Sequence, residues 1–126
     1  MKKLTYLFLL GIVFFNPASA FAEDHAININ IGGTGGGVDN ESVKKVRKVI
    51  GQAFVAGTAD TLYMYAPRKG GPVPHEGGLS LCVEAGFSST PQNFKTFVQK
   101  LRSIHPPEGT FYNVELTASC KPIDQP

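Results

Sequence analysis

The stretch Leu79-Ser80-Leu81-Cys82-Val83-Glu84-Ala85 alternates without a break. Leu79, Leu81, Val83 and Ala85 fall on one face, and Ser80, Cys82 and Glu84 on the other. That two-residue period belongs to a strand with one buried side. Downstream, Thr90 followed by Pro91 reads as a helix start, the Thr as cap and the Pro at the first helical position. Phe94, Phe97, Val98, Leu101 and Ile104 then recur at helical spacing as one apolar stripe, and His105-Pro106-Pro107 stops the helix. Thr110 to Ser119 is predicted as a long strand, with Tyr112, Val114, Leu116 and Ala118 turned inward.

The same reading extends upstream. Thr61 to Ala66 alternates Leu62 and Met64 with Tyr63 and Tyr65, a second strand. Before it, Asp39, Asn40 and Glu41 open a helix with acids that suit the dipole. Val43, Val46, Val49, Ile50, Ala53 and Phe54 form its apolar stripe, Lys44, Lys45, Arg47 and Lys48 its opposite face, and Gly57 its end. Ala26 to Ile31 sets Ile27, Ile29 and Ile31 against Asn28 and Asn30, a further strand with one apolar face. The order strand, helix, strand, strand, helix, strand is the split βαβ pattern. It predicts an α+β two-layer sandwich of ferredoxin-like architecture, an antiparallel sheet with both helices on one face.

Cys82 and Cys120 are the only cysteines. In an oxidising compartment such a pair is joined, whereas two isolated Cys without a CxxC or HxxxH cluster make a poor zinc set. The predicted topology resists the bond, because the first strand separates the two that carry the cysteines. Cys82 points outward, and Cys120 follows the inward register of Val114 and Leu116. Either a bulge, a different strand order, or a Cys120 lying beyond its strand resolves the conflict.

An oxidising compartment is implied by residues 1–22. Lys2 and Lys3 form a charged start, Leu7 to Phe15 an apolar core too short to span a bilayer, and small residues follow. Cleavage after Ala20 or after Ala22 fits the small-x-small rule, and the second leaves a polar start at Glu23-Asp24. We therefore expect a cleaved signal peptide (1–22) and a periplasmic or secreted chain with no integral membrane segment. In that chain residues 23–37 supply a strand and Gly-rich connection, and 38–126 the remainder of a single domain. Twelve Lys+Arg face ten Asp+Glu overall. Without Lys2 and Lys3 the balance is ten against ten, so no global positive field attracts nucleic acid or an anionic membrane.

No strong catalytic motif is present. The run Gly32-Gly33-Thr34-Gly35-Gly36-Gly37 lies where a phosphate loop would, but no frame gives GxGxxG. The P-loop frame from Gly32 reaches Val38 and Asp39 in place of Lys and Ser/Thr. A flexible connection is the better reading, with the first strand as a possible detachable arm for β-addition. The basic stripe Lys44, Lys45, Arg47, Lys48 is a solvated helix face or a site for an anionic surface. His75-Glu76 with Glu84 is the one His-carboxylate grouping available for acid/base chemistry, and it lacks a nucleophile. No cofactor or metal set is read from the sequence.

The segment Pro67 to Gly78 is longer than a hairpin needs and carries three prolines and two Gly pairs. Long loops in compact domains carry function more often than chance. Its Arg68-Lys69 side suits an acidic partner or a trypsin-like protease. Tyr63, Tyr65, Ser80 and Glu84 would lie on the sheet face left open by the helices, where tyrosines favour contact. These features predict an exported protein that binds another protein, in the sharper form a protease or hydrolase inhibitor presenting the 67–78 loop. The binding residues would be Arg68, Lys69, His75, Glu76, Tyr63 and Tyr65. Two alternatives stand beside it: an envelope or surface-assembly factor using the basic helix or the N-terminal strand, and a small hydrolytic enzyme centred on His75 and Glu76.

Overall fold

The computed structural model describes residues 24–71 and 77–123. The expected leader, and His75 with Glu76, lie outside the described residues. The chain forms β1 (Ala26–Gly33), α1 (Asn40–Val55), β2 (Ala59–Ala66), β3 (Gly78–Ala85), α2 (Pro91–Arg102) and β4 (Thr110–Thr117). The four strands make one antiparallel sheet in the order β2-β3-β1-β4. The architecture is the two-layer α+β sandwich expected from the element order. All six elements, the core and the disulfide lie within residues 24–123.

The helices begin where local chemistry satisfies their first N–H groups. The Asp39 carboxylate accepts from the Ser42 N–H at 3.0 Å and from the Ser42 hydroxyl at 2.7 Å. Thr90 Oγ1 accepts from the Asn93 N–H at 3.0 Å, with Pro91 in the first turn. At its other end α2 finishes at Arg102, earlier than the His105 stop implied. Ser103 caps it by donating its N–H to the Gln99 carbonyl, and Ile104 folds back into the core. Gly57, at φ +77°, ends α1 in the left-handed region that favours glycine.

Register decides which residues meet the helices. Ile27, Ile29 and Ile31 pair with Val83, Leu81 and Leu79 on one side and with Leu116, Val114 and Tyr112 on the other. Across this face lie Val46, Ile50 and Ala53 of α1 and Phe94, Phe97, Val98 and Leu101 of α2, all buried. Each fully buried Ile contributes about 1.5–3 kcal/mol relative to exposure. β1 is therefore the middle of the core, and both of its edges are hydrogen-bonded, so it is not the detachable arm that its Gly-rich flank suggested. That flank is itself tied down. Gly32 and Gly33 belong to the strand, the Thr34 N–H donates to the Gly109 carbonyl, and the Asp39 N–H donates to Thr110 Oγ1.

β4 departs from expectation at its far end. It stops at Thr117, not Ser119, and Leu116 stays 41% exposed although it shares a face with Ile27. As an edge strand β4 has only one neighbour to close over it. Ala118 lies beyond the strand and is exposed, not inward.

Candidate functional site

The strand face away from the helices is crossed by the end of the chain. Cys82 keeps the outward side that its alternation assigned. Cys120, past the end of β4, comes over β1 to meet it with a Cα–Cα separation of 5.7 Å. Ala26, Cys82 and Cys120 form a small buried cluster on this side, and Tyr63 and Tyr65 pack against it. Two further bonds fasten the crossing segment. The Cys120 N–H donates to Glu84 Oε2 at 3.1 Å, and the Tyr65 hydroxyl donates to the Lys121 carbonyl at 2.6 Å. Burial pushes the Tyr65 phenol above its ordinary value, with Tyr63 and Glu84 adding in the same direction.

This crossing segment makes one wall of a groove of about 480 Å³. Thr117, Ser119, Lys121, Pro122 and Ile123 form that wall, and Asn28, Tyr65 and Arg68 face them. Two cationic residues, an amide and three hydroxyl side chains thus line a cleft together with the Tyr65 ring, Pro122 and Ile123. Such a lining has the chemistry to hold a carboxylate or a polar chain with apolar substituents, because charge and hydrogen-bond donors fix orientation while an apolar wall supplies contact area.

Of the expected binding residues, the fold brings Tyr65 and Arg68 into this groove. Tyr63 pairs with Cys82 in register and buttresses the disulfide. Lys69, next in sequence to Arg68, is exposed and does not line the groove. Arg68 folds over Gly71, where a Cβ would overlap its side chain, and the Gly71 N–H closes the turn on the Arg68 carbonyl at 3.0 Å. Glu84 is occupied in holding Cys120. Among the described residues no three His, Cys, Asp or Glu side chains cluster as a metal set.

Asn28, Lys121 and the Thr117–Ile123 wall were not legible as site residues. The signal that points to them is parity. An outward Cys82 obliges its partner, and whatever flanks that partner, to lie on the open face. No protein-family model, curated protein or solved structure matches this chain.

Proposed function

We propose that this protein is an exported binding module that recognises an acidic segment of another protein in the groove between the Arg68 turn and the Thr117–Ile123 wall. The observation that carries the reading is the convergence of Arg68, Lys121 and Tyr65 on one cleft whose wall is fixed by a disulfide. A clamped wall supports it because a preorganised surface loses little conformational entropy on binding. A hydrolase presenting such a segment beside its own cleft would be inhibited by the contact. Export, to the periplasm or beyond the cell, is supported by the charged, apolar and small-residue order of residues 1–22 and by the cystine. No helix among the described residues is long and apolar enough to cross a membrane.

Affinity capture tests this reading, using the oxidised chain from Glu23 onward against envelope and culture-fluid extracts. Retained proteins are identified by mass spectrometry. A protein bound by the parent and by Lys69→Ala but lost with Arg68→Ala supports the groove. Loss only with Lys69→Ala moves recognition to the exposed loop, and retention by both variants, or no partner at all, refutes the proposal.

A further inference from the structure

The helix layer carries a charge imbalance that the neutral total conceals. On α1, Lys44, Lys45, Arg47 and Lys48 are all exposed, and on α2 so are Lys95, Lys100 and Arg102. Glu41 is the one acid in either helix, and it meets Lys44 at 3.5 Å with both side chains 74% exposed. An ion pair so wet offsets little of the positive charge. The two helices also draw their cations together. Lys45 and Lys48 of α1 share a shallow cleft with Lys100 of α2 and with His105 beyond it.

A second observation narrows the class of partner. Val55 stands 91% exposed at the end of α1, seven residues from Lys48 and so on the same stripe. Phe87 is fully exposed in the turn before α2, at the same end of the molecule. There the Gly86 N–H donates to the Thr58 carbonyl and the Phe87 N–H to Asp60 Oδ2. Single-stranded nucleic acid would call for aromatic side chains among the charges, and both helices keep their phenylalanines on the core side. Cations spread over a two-helix layer, with apolar side chains projecting at one end, are the combination that an anionic bilayer rewards. Electrostatic attraction and shallow apolar insertion are each weak alone and add together there.

We propose that the helix layer docks this protein on a bilayer containing anionic phospholipid. The groove on the opposite layer then faces away from the membrane. The inference does not depend on what that groove binds.

Vesicle flotation tests it with the oxidised chain from Glu23, which contains every described element, and cooperative thermal unfolding verifies each variant. The chain is expected to float with vesicles of phosphatidylcholine and phosphatidylglycerol and not with phosphatidylcholine alone. Most binding should vanish in about 1 M salt, where the Debye length is about 3 Å. Lys48→Gln/Lys100→Gln should weaken it about thirtyfold, the effect of two basic side chains beside an anionic surface. Lys69→Gln/Asn113→Glu changes net charge equally on exposed positions outside the helices, and should bind as the parent does. Phe87→Ser should lower the binding that survives salt. Equal binding to neutral vesicles, equal loss in the two charge variants, or no effect of Phe87→Ser overturns the proposal. So does retention on a soluble anionic polysaccharide or duplex DNA without vesicle binding.

Discussion

Cys82 and Cys120 are bonded across a strand that neither belongs to. Cys82 sits on β3, Cys120 follows β4, and between them runs β1, with Ala26 wholly buried in the same small cluster. The bond thus fixes the end of the chain to the sheet face that the helices leave bare.

Reduction should therefore do two separable things. A cross-link spanning 38 residues is worth about 3–4 kcal/mol in the chain-entropy model, so the urea midpoint of the reduced protein should drop accordingly. The groove should open as well, because its Thr117–Ile123 wall loses its main anchor. Partner capture by the reduced protein, measured where it is still folded, should fail.

Ala26 leaves no room for a larger side chain. Its Cβ side is occupied by Cys82 and Cys120, and it is 0% exposed. Ala26→Leu should cost about 1–3 kcal/mol through overpacking. Asn30→Leu, two register positions along the same face, serves as the comparison in denaturant titration and should cost less.

Tyr112 ties the edge strand to the end of α2 by donating its hydroxyl to the Leu101 carbonyl at 2.6 Å. Tyr112→Phe should lose about 1 kcal/mol near neutrality. Burial pushes this phenol from 10.0 up to about 12. The fold therefore holds the proton more tightly than the unfolded chain does. That contribution is present in full below pH 10 and is lost as pH rises through about 12. Over this window the parent should lose stability more steeply than Tyr112→Phe, and thermal unfolding at stepped pH measures the difference.

Asp39 holds two donors from one residue, the N–H and hydroxyl of Ser42, which is itself buried. Asp39→Ala should cost about 1–2 kcal/mol, since it removes the cap and leaves the hydroxyl without its acceptor. Asp39→Asn keeps an acceptor oxygen and should recover most of the loss in the same urea titration.

How much of this was legible depends on the range of the interaction involved. The alternation from Leu79 to Ala85, the caps at Asp39 and Thr90, and the stripe from Phe94 to Ile104 are local, and the sequence reading places them well. The role of β1 is not local. Ala26 pairs with Glu84 and Thr117, and Gly32 with Gly78 and Phe111, and those partners are remote in sequence. A Gly-rich flank therefore made a central strand look tethered. The site was half visible for the same reason. Tyr65 and Arg68 stand out by type, but Asn28 and Lys121 acquire meaning only when the cystine carries the end of the chain across the sheet. The α2 cations were likewise passed over, because their kinship with Lys45 and Lys48 exists only after the helices lie side by side.

The position of β1 also bears on the order in which the molecule can be made. Of the four described strands the one synthesised first, β1, has β3 and β4 as its neighbours, and β4 ends at Thr117. Until that last strand arrives, one edge of Ile27, Ile29 and Ile31 has no partner and the sheet cannot close. With this topology the sheet closes only when the last of its four strands has joined, so the core assembles as one unit and not from its N-terminal half alone.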